Sequence, residues 1–393
     1  MSMFYFDNNA TTRVLPQVIE AMQPWFCEQY GNPSSSHPLG QYAKQALITA
    51  RAAVASFLNA SPAEVVFTSG ATESNHMAIL GALSVNPERK RIVTSTVEHS
   101  STLRLLEALE KEGYEIVRVP VNPSGSLDIT GLQEVVTPDT ALVTLMHANN
   151  ETGVLFPIAI AASIAKAQGA LFHTDAAQTA GKLRLDVKQL DCDLLSFSGH
   201  KLHAPKGVGA LYVRKGLTLT PLIYGHQERN RRGGTENLPG IVGLDVACRL
   251  AQEYLLLGKV QTSALRDRLE QGLLARLKPV RINGYGLRVP NTASLCFSGL
   301  NGEELLHRLG QAGVMASQGS ACTAGGTEPS HVLLAMGMTR EDALSSVRFS
   351  LSRETTEADV DVVVETVTTI VTAMRGSTMD EPPRAAVAER IQT

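Results

Sequence analysis

Two residues with nucleophilic side chains lie in loops of small and polar residues. Lys201 occurs in Ser198-Gly199-His200-Lys201, and a lysine amine becomes nucleophilic when desolvation or neighbouring positive charge keeps it partly unprotonated. Cys322 lies between Gly319 and Gly325-Gly326. Small flanking residues let a loop move and expose its sulfur, which is typical of a reactive thiol rather than a structural one. Together the two residues predict an enzyme that forms a Schiff base and moves sulfur.

Polar residues also follow several predicted strands. The stretch 69–75 opens a helix after the strand 65–68, and the N–H groups at a helix start suit a phosphate. His99 follows the strand 91–95 and could stack on an aromatic ring and handle protons. Taken singly, a capped helix start and a loop histidine would also explain these features.

Two further groups follow the predicted strands 170–174 and 194–198. Asp175 and Gln178 come after the apolar strand 170–174. A carboxylate there can keep a pyridine nitrogen protonated, and Gln178 could donate to a phenolic oxygen on the same ring. Ser198 and His200, beside Lys201, could contact phosphate. The alternatives are that Asp175 caps the next turn and that Lys201 is a solvated loop lysine.

These groups predict one site because ligands bind at the carboxyl ends of the strands in an open α/β sheet. An anion cradle, a ring-stacking group, a carboxylate for a pyridine nitrogen and an amine nucleophile together fit pyridoxal phosphate. Asn150 follows the strand 141–146 and faces the same crevice. Arg348, on an alternating strand, could bind a substrate carboxylate through two N–H groups or form a surface ion pair.

Short strands alternate with helices from about residue 50 to 215. The predicted strands are 65–68, 91–95, 115–119, 141–146, 170–174, 194–198 and 209–213, with helices near 73–84, 101–112, 130–136 and 157–168. This order predicts an α/β fold with a mostly parallel seven-stranded sheet covered on both faces. Residues 241–278 predict two long helices that lead to a smaller α+β domain. We expect a large domain over 13–255, a small domain over 1–12 and 256–375 that carries the Cys322 loop, and a flexible tail over 376–393.

Composition excludes several classes of protein. The 393 residues are 44% hydrophobic and 19% charged with a net charge of −3, so nothing indicates nucleic-acid binding. No apolar run approaches the ~20 residues that span a bilayer, and the first residues do not resemble a signal peptide, so we expect a cytoplasmic protein. The five cysteines form no Cys-x-x-Cys pair, which predicts neither a disulfide framework nor a metal site.

The chain resembles the cysteine desulfurases, which are pyridoxal-phosphate enzymes of the class V aminotransferase group. The resemblance runs from Asp7 to Arg348 and depends on four long stretches, which are 68–74, 148–153, 198–201 and 319–323. Residues 225–237 look most like the nitrogen-fixation branch, named NifS. This resemblance implies fold type I of the pyridoxal-phosphate transferases and a homodimer.

The resemblance also implies a role for each site residue. Lys201 would carry the cofactor as a Schiff base, His99 would stack on the ring and act as acid and base, and Asp175 and Gln178 would contact the ring. The phosphate would be held by Ala71, Thr72, Ser198 and His200, with Thr235 contributed by the other subunit. Asn150 and Arg348 would bind the substrate carboxylate, and Cys322 would accept sulfur. Gln318 and Gly233 depart from the usual pattern but remove no chemical group.

The implied reaction converts L-cysteine to L-alanine and leaves a persulfide on Cys322. The sulfur would pass to an iron–sulfur scaffold protein, as in nitrogenase maturation. Three alternatives stay open at this point: a selenocysteine lyase, another class V enzyme such as an aminotransferase, and a sulfur-relay or assembly component without catalysis.

Overall fold

Twelve strands lie in the part of the chain that the computed structural model describes, which is residues 3–257, 259–319 and 328–379. The strands are β1 (Phe4–Tyr5), β2 (Val65–Thr68), β3 (Arg91–Ser95), β4 (Glu115–Val119), β5 (Thr140–Met146), β6 (Leu171–Asp175), β7 (Leu194–Ser198), β8 (Gly209–Val213), β9 (Arg281–Ile282), β10 (Thr292–Cys296), β11 (Val314–Met315) and β12 (Ser346–Ser350).

Helices connect most of these strands. They are α1 (Pro16–Met22), α2 (Pro24–Cys27), α3 (Pro38–Leu58), α4 (Ala71–Val85), α5 (Ser100–Lys111), α6 (Ile129–Val135), α7 (Ile158–Ala167), α8 (Val187–Leu190), α9 (Gln227–Asn230), α10 (Leu238–Leu257), α11 (Lys259–Arg276), α12 (Gly302–Gln311), α13 (His331–Ala335), α14 (Arg340–Leu344) and α15 (Glu357–Met379). The last helix continues past residue 376, where we predicted a tail, and residues 380–393 lie outside the described part.

The central sheet has seven strands in the order β2-β8-β7-β6-β5-β3-β4. Every residue of β2, β5, β7 and β8 is buried, as expected for strands covered on both faces. All strand pairs are parallel except the two made by β8. The predicted α/β fold with a mostly parallel seven-stranded sheet is therefore confirmed.

The direction of β8 has a simple physical cause. Only residues 199–208 separate β7 from β8, and a parallel return needs a crossover of about a dozen residues or more. The chain therefore turns back and pairs Ser198 with Gly209 in antiparallel register. This turn contains Lys201, so the reversal of the sheet places the lysine at the carboxyl end of β7.

A second hydrophobic core lies in the C-terminal part of the chain. The sheet β12-β10-β9 packs with α11, α12 and α15. Phe6, from the N-terminal segment, is fully buried in this core, and β1 pairs in parallel with β11. The first residues therefore pack with residues near the other end of the chain. Among the described residues, none of the helices combines the length and hydropathy needed to cross a bilayer.

Replacing Gly209 with alanine should destabilise the sheet beside the site. A Cβ at this position would meet Phe197 O at 2.6 Å and Gly70 Cα at 2.7 Å, so the backbone must shift. We expect the free energy of unfolding to fall by about 1–3 kcal/mol, as for other overpacked positions. Urea unfolding measures the change. Gly310→Ala in α12 is the control, because nothing lies within 4 Å of its Cβ position and alanine favours a helix; equal stability of the two variants would contradict the prediction.

Candidate active site

A cavity of about 1040 Å³ lies at the carboxyl ends of the central strands. Ten of the predicted site residues line it: Ala71, Thr72, His99, Asn150, Asp175, Gln178, Ser198, His200, Lys201 and Arg348. They come from the carboxyl ends of β6 and β7, from the segments that follow β2, β3, β5, β6 and β7, and from β12. The structure therefore brings together residues that are separated by more than half the chain.

Lys201 ends a single 3-10 turn formed by Gly199–Lys201. Its Nζ donates hydrogen bonds to the backbone oxygens of Asn9 and Ala10, the second at 2.8 Å. These carbonyls orient the amine at the cavity wall. The sequence analysis assigned no role to Asn9. The only feature that pointed to it was that the family resemblance begins at Asp7, in the polar run that contains Asn9.

Asp175 ends β6 and is almost fully buried. One carboxylate oxygen accepts from Asn75 Nδ2 at 2.7 Å, and the other accepts from the backbone N–H of Ala177 at 2.9 Å. These two donors fix the plane of the carboxylate. Asn75, on α4, was not predicted; its buried amide oxygen has no partner among the described residues.

His99 is the N-cap residue of α5. Its Nδ1 accepts from the backbone N–H of Ser101 at 3.2 Å. Since that nitrogen is an acceptor, a neutral His99 carries its proton on Nε2. Burial lowers the pKa of His99, and the positive charge of Lys201 also lowers it, while Asp175 acts in the opposite direction. His99 is therefore neutral near pH 7 and can either stack or exchange a proton.

The start of α4 fits an anion. Gly70 is its N-cap residue, and no described side chain caps the helix. The first N–H groups of α4 belong to residues that line the cavity together with Ser198, where a ligand could accept from them. A Cβ at Gly70 would lie 3.3 Å from Ser198 Oγ, and Gly70 has a φ of +155°, which favours glycine. Burial, with the charge of Lys201, lowers the pKa of His200 to about 4.

Arg348 is buried, so the predicted alternative of a surface ion pair is wrong. Its Nη2 lies 2.6 Å from Asp7 Oδ1, and its side chain is 2% exposed. Its Nη1 donates to the backbone oxygens of Asn150 at 2.9 Å and Gly319 at 3.2 Å. The buried Nε has no acceptor among the described residues, and Arg348 belongs to the cavity lining.

The other two predicted residues, Thr235 and Cys322, differ from these ten. Thr235 is exposed and is not among the described residues around the cavity. Cys322 lies outside the described residues. Gly319, shortly before Cys322 in the sequence, does line the cavity. Gln318 donates to Leu344 O at 3.2 Å.

Glu98, which precedes His99 in the sequence, has a buried carboxyl group to which the sequence analysis gave no role. It accepts from Ser95 Oγ at 2.6 Å and from the backbone N–H of Met146 at 2.9 Å. Burial raises its pKa to about 8, and the charge of Asp175 adds to this effect, while the two hydrogen bonds oppose it. Glu98 therefore joins the ends of β3 and β5 largely in its neutral form.

Replacing Glu98 with glutamine should reduce the loss of folding stability that the wild type shows as the pH rises. Between the ordinary glutamate value of about 4.3 and about 8, the folded protein binds more protons at Glu98 than the unfolded chain. Wild-type stability therefore falls as pH rises through this window, by at most about 1.4 kcal/mol per pH unit from this group. Urea unfolding from pH 5 to 8 should show the variant gaining stability relative to wild type; a difference that is independent of pH would contradict this.

The donor set fits pyridoxal phosphate. The uncapped start of α4 suits a phosphate, the oriented Asp175 suits a protonated ring nitrogen, and Lys201 supplies the amine. No cluster of three or more His, Cys, Asp or Glu residues in the described part is placed to hold a metal ion.

Comparisons with known proteins show which family the chain belongs to. Residues 4–363 match the aminotransferase class-V family model. A cysteine desulfurase from Trichormus azollae is 48% identical over 377 residues, which cover 95% of this chain and 94% of that protein. Cysteine desulfurase NifS from Azotobacter vinelandii is 47% identical over 378 residues, with 95% and 94% covered.

The fold of this chain is also similar to that of a solved structure. A NifS-like protein superimposes with a TM-score of 0.89 at 37% identity, and the match covers 94% of this chain and 100% of that one. The relatives match 94–95% of this chain, and the family match over residues 4–363 includes every segment that lines the cavity. The chain therefore belongs to the cysteine desulfurases of the aminotransferase class-V family, with the fold type I architecture predicted from its motifs.

Proposed function

We propose that this protein converts L-cysteine to L-alanine and leaves the sulfur as a persulfide on Cys322. The observation that carries the proposal is the meeting of Lys201, Asp175, the uncapped start of α4 and Arg348 around one cavity. The names of the relatives support cysteine as the substrate, and members of this family depend on pyridoxal phosphate.

Pyridoxal phosphate, when bound, supplies an electron sink for the charge that develops at the substrate Cα. Lys201 would hold it covalently, and Asp175 would keep its ring nitrogen protonated. His99 and Gln178 would contact the ring. The phosphate would be held by Ala71, Thr72, Ser198 and His200, and by Thr235 from a second subunit.

The chain's own groups would then act in sequence. Arg348 and Asn150, which both line the cavity, would hold the substrate carboxylate. Lys201 Nζ would take the proton from Cα. The Cys322 thiolate would attack the substrate sulfur, so an S–S bond forms while the C–S bond breaks. Cβ retains that electron pair and takes a proton, with His99 as a proton carrier, and Lys201 returns a proton to Cα, which gives alanine.

The expected partners follow the same reasoning. The exposed position of Thr235 supports its use across a homodimer interface. An iron–sulfur scaffold protein would take the sulfur, and the similarity to NifS supports nitrogenase maturation as the setting.

We also propose that the chain divides into a large domain over 13–255 and a small domain over 1–12 and 256–375.

Product analysis tests the proposal. Protein incubated with pyridoxal phosphate, L-cysteine and a thiol reductant should release alanine and sulfide in equal amounts. Without reductant, peptide mass mapping should find one added sulfur atom on Cys322. An oxo-acid product that requires an oxo-acid acceptor would indicate an aminotransferase, and activity confined to selenocysteine would indicate a selenocysteine lyase. Absence of any turnover would leave a relay component and contradict the proposal.

A further inference from the structure

Lys182 is a buried lysine beneath the cavity that the proposed reaction does not use. It lies in the turn after β6 and is 9% exposed. Its Nζ donates to Gln178 Oε1 at 2.8 Å and to Asn9 Oδ1 at 2.9 Å. None of the ion pairs formed among the described residues includes it. Burying an ammonium group without a carboxylate partner costs free energy, so the presence of Lys182 at this position calls for an explanation.

The chemistry of the ammonium group fixes the two amides beside it. A lysine ammonium has three donors and no acceptor, whereas an amide presents either an oxygen or an NH₂ group. Only the oxygens of Gln178 and Asn9 can therefore face Lys182. The Gln178 NH₂ group then points away from Lys182, and one of its N–H bonds reaches Asn9 O at 3.0 Å. Its second N–H is left for a ligand, because Gln178 lines the cavity.

Asn9 connects the same lysine to the reactive amine. Its backbone oxygen accepts from both Gln178 and Lys201. Its side-chain oxygen accepts hydrogen bonds from Lys182 and Asn291, and its side-chain nitrogen donates to the backbone oxygen of Asn150. A displaced Asn9 would therefore disturb Lys201 as well as Gln178.

We propose that Lys182 is a positioning residue that orients the Gln178 amide towards the cofactor and fixes the Asn9 carbonyl that binds Lys201. This inference rests on the proposed function, because it assigns Lys182 to the cofactor site. The surrounding charges agree with it. Burial lowers the pKa of Lys182, and the charges of Lys201 and Arg348 lower it further. This repulsion is mutual, so a proton on Lys182 disfavours a proton on Lys201. Such neighbours favour an unprotonated nucleophile.

The experiment compares Lys182→Met, which removes the donors at similar length, with Lys182→Gln, which keeps an NH₂ donor without charge. The full-length protein is loaded with pyridoxal phosphate, and two quantities are measured. One is the dissociation constant of the cofactor. The other is the proton affinity of the nitrogen that joins Lys201 to the cofactor, taken from absorbance against pH.

Lys182→Met should weaken cofactor binding about tenfold, which corresponds to a loss of about 1.4 kcal/mol of binding free energy. It should also raise the proton affinity about tenfold, because both a positive charge and an oriented donor are lost. Lys182→Gln should recover most of the cofactor affinity. In a Gln178→Ala background, Lys182→Met should add little further weakening, since residues that act together are non-additive.

Wild-type values in Lys182→Met, or additive losses in the double variant, would overturn the assignment. If Lys182→Met does not fold, a Lys182→Gln protein as weak as Gln178→Ala would overturn it as well. Failure of the wild type to bind the cofactor would instead contradict the proposed function itself, so the two failures are distinguishable.

Discussion

Replacing Lys201 with alanine is expected to lower alanine formation from L-cysteine by at least about 10²–10⁴-fold, the usual contribution of a positioned acid–base group. The variant loses both the amine that takes the Cα proton and the covalent attachment of the cofactor. Borohydride treatment should therefore fix no pyridoxyl group at position 201. The measurements are amino acid analysis of the product and peptide mass mapping.

The matched control is Lys215→Ala. Lys215 is exposed, follows β8 and does not belong to the described lining of the cavity. It should retain wild-type turnover and the borohydride-fixed group on Lys201. Near-normal turnover in Lys201→Ala, measured in protein that unfolds with wild-type cooperativity, would contradict the role of Lys201.

Cys322→Ala should abolish persulfide formation and sulfide release while leaving the cofactor site intact. Three of the other cysteines are poor substitutes because burial raises their thiol pKa, to about 12 for Cys192, and in the same direction for Cys248 and Cys296. The thiolate is the nucleophile, so these thiols cannot replace Cys322. Exchange of the Cα proton of L-cysteine with solvent should persist, because Lys201 performs that step.

Cys27→Ser is the control for the second variant. Cys27 is exposed at the end of α2 and is not part of the described lining of the cavity, so its loss should leave sulfide release unchanged. Alanine formation at the wild-type rate in Cys322→Ala, with Cys27 present or replaced, would mean that the sulfur leaves without a protein acceptor.

Local patterns predicted much of this fold because the strands are short, apolar and separated by helices with clear periodicity. The predicted strand 209–213 was correct in position, but its direction depends on the length of the preceding turn. The two-residue strands β1 and β11 carry no periodic signal, and they exist because distant segments pair.

The residues of the candidate site also differ in whether the sequence could predict them. Asp175 and Lys201 were predictable because each follows a recognisable strand and has the chemistry that the cofactor needs. Asn75, Glu98 and Lys182 were not, because they act through other residues and their contacts form only when separate elements pack. Arg348 was identified, but its pairing with Asp7 joins residues 341 positions apart, which no local pattern reveals.

The burial of Cys192, Cys248 and Cys296 has a practical use. Among the described cysteines only Cys27 is exposed, so in a Cys322 variant a maleimide dye should attach at the end of α2 and leave the interior sulfurs unlabelled. The protein thus offers a ready attachment point for fluorescence measurements of complex formation with a sulfur acceptor.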